Sequence, residues 1–192
     1  MSEGGVAVGE AKRTVLLVDG ENIDATLGVS ILGHRPAPDE RPRWDRLLHF
    51  FADRWQQPVA GLFFLAASNE LPHTFVQALL AIGYRPIPLS GAPGEKVVDI
   101  AIDRTLAALA GRSDDIVLAS HDGDFLAGLS AVCDGRRVAV VGFSEYRHRG
   151  FAELAERGVE LIDLEHDVHA FKVRLPRVRI IPIAEFDPLE FL

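Results

Sequence analysis

Six short apolar runs, separated by stretches whose apolar residues recur at helical intervals, constrain the fold of this chain more than any other feature. The runs are residues 14–18 (TVLLV), 59–66 (VAGLFFLA), 84–89 (YRPIPL), 115–119 (DIVLA), 138–142 (VAVVG) and 159–162 (VELI). Those at 14–18, 115–119 and 138–142 are almost continuously apolar, as strands buried on both faces require. Between the runs lie WDRLLHFFADRW, LPHTFVQALLAIG, EKVVDIAIDRTLAALAG and DFLAGLSAVCDG, and three of these close on a glycine, Gly83, Gly111 or Gly135, where helices commonly end. Strands alternating with helices imply βαβ units, so the expected fold is α/β with a mostly parallel central sheet covered on both faces. Pro86 and Pro88 suit the third strand to an edge position only, because neither can donate to a ladder.

The remaining segments are less regular. Residues 33–43 (GHRPAPDERPR) read as an exposed loop and residues 1–13 as a flexible N-terminus. Beyond residue 172 the sequence KVRLPRVRIIPIAEFDPLEFL breaks the pattern, so residues 166–192 form a C-terminal extension. An edge strand with a docked tail and a partner-binding arm are both open for it, the arm being a route to a homo-oligomer or a protein partner.

At 192 residues, 48% of them hydrophobic, the chain suffices for one sizeable core. A single cysteine, Cys133, excludes an intramolecular disulfide framework and any cysteine-rich zinc site, which makes a reducing compartment the expectation. The first residues, MSEGGVAVGEAKR, lack an apolar core of signal-peptide length, and no apolar run approaches the roughly 20 residues of a membrane helix. A cytoplasmic protein with no membrane partner is therefore expected. The net charge of −8 argues against loose, charge-driven binding of nucleic acid over the whole surface, though not against a local basic patch.

In open parallel sheets, ligands bind outside the carboxyl ends of the strands near the switch in strand order. Asp19-Gly20-Glu21-Asn22 follows the first run directly, and Ser120-His121-Asp122-Gly123-Asp124 follows the fourth. Glu95-Lys96-Val97-Val98-Asp99 opens a helix on which Asp103 shares a face with Asp99. Each acid has an ordinary alternative. Asp122 or Asp124 would serve as a helix cap, Asp19 as a strand terminus, Asp99 as a partner of the helix dipole, and Asp103 as a partner of Arg104. Together they suggest more, because carboxylates within about 4–6 Å of one another repel unless a cation neutralises them. Oxygen ligands without a histidine or cysteine set point to Mg²⁺ or Mn²⁺.

The segments VLLVDGENID, EKVVDIAIDRTL and IVLASHDGDF, in this order and spacing, resemble the signatures of the NYN domain family, in its LabA-like (DUF88) branch of PIN-like nucleases. The resemblance covers roughly residues 14–143, and the domain is drawn over 14–165. It implies a PIN-like three-layer α/β/α sandwich and metal-dependent cleavage of RNA. Asp19, Asp99 and Asp122 match the principal acidic positions, Asp124 the second aspartate of the fourth-strand motif, and Asn22 the motif asparagine. The chain departs from the pattern in two places. The family commonly reads Ser-Gly-Asp-Ser-Asp-Phe where this chain has Ser120-His121-Asp122-Gly123-Asp124-Phe125, and Asp103 follows Asp99 closely for a second acidic position.

On this reading Asp19, Asp99 and Asp122 bind metal directly, Asp124 directly or through water, and Asp103 is a further candidate ligand. Asn22 orients an aspartate or the scissile phosphate, and His148 is dispensable as a base if metal activates the water. Candidate RNA contacts are Lys96, Ser120 and the loop residues Tyr146, Arg147 and Arg149, the tyrosine stacking on an unpaired base of single-stranded RNA. Ser68-Asn69 is a weaker candidate at the same edge. GAPG at 91–94 reads as a mobile loop or a plain connection, and Arg174, Arg177 and Arg179 as a basic strip, most simply a solvated face. Two other functions fit less well. One is an RNA-binding or regulatory module without turnover. The other is a haloacid-dehalogenase-type phosphatase, which expects a second aspartate where this chain has Glu21.

Overall fold

A computed structural model describes residues 12–67, 72–178 and 180–192. Ser68-Asn69, Arg179 and most of the N-terminal segment expected to be flexible lie outside the described residues. Among the described residues six strands form one sheet: β1 (Thr14–Asp19), β2 (Val59–Ala66), β3 (Tyr84–Leu89), β4 (Asp115–Ala119), β5 (Val138–Gly142) and β6 (Glu160–Asp163). Their order is β3-β2-β1-β4-β5-β6, and every pairing is parallel, so the sheet is wholly rather than mostly parallel. The described helices are α1 (Gly20–Ala25), α2 (Trp44–Trp55), α3 (His73–Ala81), α4 (Val97–Ala110), α5 (Leu126–Ala131) and α6 (Phe151–Glu156).

Alternation along the strands divides the core into two layers. Leu16, Val18, Phe63, Val117 and Val141 face one side, where they meet Ile23 of α1, the Leu47, Phe51 and Trp55 stripe of α2, and Leu79 of α3. Val15, Leu17, Phe64, Leu118 and Val140 face the other, against Ile102 and Leu106 of α4, Leu129 of α5 and Phe151 of α6. This is the three-layer sandwich of a PIN-like fold. Burying apolar side chains on both faces makes the central strands continuous apolar runs. Truncating one such residue, as in Leu17→Ala, costs about 2–5 kcal/mol.

β3 is an edge strand, as its prolines require. Pro86 and Pro88 have the same parity, so their missing N–H groups fall on the side away from β2. Two helical segments escape the periodicity argument. After α1, residues Thr26–Leu32 continue as a π-helical turn, and α6 is a six-residue helix. Both are too short to show a clear 3.6-residue stripe.

No strand follows Asp163 among the described residues, so the edge strand considered for the C-terminal extension does not form. Residues 166–177 instead dock as irregular chain, burying Val168, Ala170, Phe171 and Leu175 in the layer of α1, α2 and α3. Arg177, read from sequence as part of a solvated strip, is buried over Phe143 and paired with Glu145, Asp163 and Glu165. Beyond it Val178, Ile180, Ile183 and Leu189 are exposed.

Candidate active site

The strand order reverses direction between β1 and β4, and the carboxyl ends of these two strands carry the acidic motifs. Asp19 ends β1. It is nearly buried, and its carboxylate accepts a hydrogen bond from the Asn22 amide (3.2 Å), capping α1, and another from Ser120 Oγ (3.0 Å). Burial pushes this carboxyl up to about 6 against those two hydrogen bonds, with Asp99 and Glu21 adding repulsion.

The β4 loop turns back as a short 3₁₀ turn, Gly123–Phe125, held down by the fully buried Phe125. Asp122 caps this turn by accepting from the Asp124 amide (2.9 Å), so the expected capping role is present. Capping does not exhaust the arrangement. Carboxylate oxygens of Asp99, Asp122 and Asp124 all lie within 4.8 Å of one another, the first two half-buried and the third exposed. α4 contributes Asp99 from its first turn. Asp19 and Asp103 stand outside this group of three but couple to it. Burial, then Asp99 and Asp124, raise the Asp103 carboxyl.

The ammonium of Lys96 bridges two members of the group, 3.3 Å from Asp99 Oδ2 and 3.4 Å from Asp124 Oδ2. Hydrogen bonds to Asp99 and then Asp124 raise its pKa. A donor set of three carboxylates that already attracts a cation is chemically suited to a divalent, oxygen-liking ion such as Mg²⁺ or Mn²⁺.

Three of the candidate residues are engaged in the scaffold. Ser120 is fully buried, donating to Asp19 and accepting from the Asp122 amide (3.2 Å), so it positions acids and has no surface to offer RNA. Arg147 turns inward and donates to the Ile162 carbonyl (2.7 Å), with its Nε enclosed and unpaired, so its guanidinium is largely committed to the fold. The Asn22 side-chain oxygen is taken up by His121 and not by an aspartate. This Oδ1 accepts from the His121 amide (2.8 Å) and lies 2.9 Å from His121 Nδ1. Tyr146 is part-exposed with its hydroxyl donating to the Ser30 carbonyl (3.1 Å), and Arg149 is exposed.

His121 is the residue that sequence reasoning passed over. Its Nε2 accepts from the Phe143 amide (2.7 Å), which places the ring proton on Nδ1, facing Asn22 Oδ1 and Thr26 Oγ1. The imidazole stacks on Phe143, and burial, with Arg147 and Arg177 nearby, pulls its pKa down to about 4. A Cβ at residue 142 would come within 2.7 Å of His121 Nε2, so Gly142 at the end of β5 makes room for the ring. A neutral buried histidine thus ties α1, β4 and β5 together beneath the acids. Its one sequence signal is the His121 departure from the family motif.

The NYN domain model matches residues 13–165 of this chain. The chain belongs to the NYN domain family. NYN domains are generally nucleases, and the acidic group sits within the matched span. The fold is also similar to the crystal structure of a protein of unknown function from Vibrio parahaemolyticus, with a TM-score of 0.62 and 19% identity over 81% of this chain and 94% of that one. No curated protein matches the chain. Among the described residues of this NYN protein, no helix is long and apolar enough to cross a membrane.

Proposed function

We propose that this NYN protein, of the LabA-like branch, is a Mg²⁺- or Mn²⁺-dependent ribonuclease that hydrolyses phosphodiester bonds of single-stranded RNA. The observation that carries this reading is the convergence of Asp99, Asp122 and Asp124 within 4.8 Å at the switch point of a NYN fold. These three would hold the ion. A divalent cation there supplies a nucleophile from water near neutral pH and stabilises the anionic leaving oxygen.

The chain's own residues do the rest. Asp19, through Ser120, fixes the backbone that presents Asp122, and Asn22 with His121 fixes the start of the same loop. Lys96 balances the charge of Asp99 and Asp124, and once displaced from them it is free to meet a phosphate oxygen. Tyr146 offers a ring for a base and Arg149 a charge for the backbone. The single cysteine, whose thiol donates to the Leu129 carbonyl, agrees with a reducing, cytoplasmic setting.

One observation favours a second reading, an RNA-binding module without turnover: Lys96 already partly neutralises the group. The phosphatase reading has lost its ground, because the Glu21 carboxylate accepts from the Ala66 amide (3.0 Å) and the chain is a NYN protein.

The test is cleavage of labelled single-stranded RNA with Mn²⁺, Mg²⁺ or EDTA, comparing wild type with Asp122→Asn. Asparagine keeps the acceptor that caps the 3₁₀ turn, so the variant should fold and lose metal-dependent cutting. Equal cutting by both proteins, or none by wild type, overturns the catalytic reading.

A further inference from the structure

The Asp-Gly-Asp sequence at 122–124 departs from the family pattern, and the structure shows what occupies the space. A Cβ at residue 123 would lie 2.6 Å from Cγ of His148 and 2.8 Å from its Cδ2 and Nδ1. The φ angle of Gly123 is one that any residue adopts, so space rather than backbone conformation calls for glycine. The imidazole of His148 therefore rests on the backbone between two of the three clustered acids, Asp122 and Asp124.

The ring is anchored from behind. The His148 amide donates to the His121 carbonyl (3.1 Å), tying the loop after β5 to the loop after β4. Nδ1 accepts from the Gly150 amide (3.1 Å), so in the neutral imidazole the proton is on Nε2. Among the described residues Nε2 has no hydrogen-bond partner, and the side chain is exposed. A positioned N–H donor that faces solvent, beside carboxylates that would hold a divalent cation, suits an anionic ligand bound to that cation.

We propose that His148 Nε2–H donates a hydrogen bond to a non-bridging phosphate oxygen of the bound RNA strand, and that Gly123 is the residue that admits the ring to this position. The inference rests on the reading of the acidic group as a phosphodiester-cleaving site. It makes His148 a substrate-contacting residue of this chain, acting as a donor and not as a base.

The experiment measures single-stranded RNA affinity in Ca²⁺, to suppress turnover, and cleavage in Mn²⁺, for wild type, His148→Phe, His148→Gln, His148→Ala, Gly123→Ala, the double variant Gly123→Ala/His148→Ala and Asp122→Asn. A lost hydrogen bond to a charged oxygen should weaken RNA binding by about tenfold in His148→Phe and His148→Ala. His148→Gln, whose amide nitrogen can stand near Nε2, should stay within about twofold of wild type. Gly123→Ala should lose as much as His148→Ala by displacing the ring, and the double variant should lose no more than either single one.

Wild-type affinity in His148→Phe, or losses that multiply in the double variant, would overturn the proposal. If wild type cuts RNA, Asp122→Asn does not, and the His148 variants match wild type, the donor role alone falls. If wild type neither binds nor cuts, the nuclease reading falls and the donor role with it. Equal thermal midpoints across the variants, with Gln rescue, separate the donor from a packing role.

Discussion

Asp19 and His121 both pack against Asn22, and their ionisation is displaced in opposite senses. The Asp19 carboxyl, about 6 when folded against 3.8 in its ordinary state, holds a proton that the unfolded chain has released, so its contribution to stability is present below pH 3.8 and is lost as pH rises through about 6. The His121 imidazole, about 4 when folded against 6.5, is neutral where the unfolded chain is protonated, so its contribution is present above pH 6.5 and is lost as pH falls through about 4. The two slopes oppose each other between about pH 4 and 6. Chemical denaturation at a series of pH values should therefore show Asp19→Asn steepening the rise of stability with pH, by up to about 3 kcal/mol across the window. His121→Gln should tilt it the other way. Lys96→Gln, which removes a cation from Asp99 and Asp124, should tighten Mn²⁺ binding severalfold by calorimetry. The acids were legible in the sequence because residue type and strand-end position give them away. His121 was not, since its role is set by the Phe143 amide, 22 residues along the chain.

At the scale of elements, the C-terminal extension is two things. Up to residue 177 it is part of the core: the Arg177 guanidinium lies 2.8 Å from Asp163 at the end of β6 and also pairs with Glu145 and Glu165. Burial works to raise the Asp163 carboxyl, but hydrogen bonds from Arg177, His166 and Ser144 hold it well below the usual carboxylate range. Arg177→Ala would leave the buried Asp163 and Glu165 carboxylates uncompensated and should cost about 3–5 kcal/mol in urea unfolding. Truncation after residue 177 removes chiefly exposed apolar chain and should leave the thermal midpoint within about 2 °C of the full chain, consistent with the small effect of surface changes. Truncation after residue 165 strips Phe171 and Leu175 from the core and should prevent folding. Periodicity found five of the strands within a residue and set the sixth one residue early. It could not see the docking of 166–177, which follows no period.

For the whole molecule, charge sets how RNA would be met under the proposed ribonuclease function. A net charge of −8 makes long-range attraction unfavourable, so binding has to be local and salt-sensitive. Arg149 is exposed, whereas Arg147 donates into the carbonyl layer of β6. Arg149→Ala should weaken RNA affinity and flatten its dependence on salt by about 0.7 in log–log slope, as expected for one lost phosphate contact to a single strand. Arg147→Ala should leave the slope unchanged and lower the thermal midpoint. An unchanged slope in Arg149→Ala would remove that residue from the interface.

The sequence by itself determined the class of fold and the edge of the sheet at which the acids gather. Both follow from local rules, because a strand buried on two faces is an apolar run and a parallel sheet gathers its strand ends on one side. Only the tertiary structure decided which carboxylates meet, that Lys96 lies against two of them, that Ser120, Asn22 and Arg147 hold the scaffold, and that His148 sits over Gly123. Those relations join residues from different crossovers, and the packing of side chains in space sets their distances, which no spacing along the chain records.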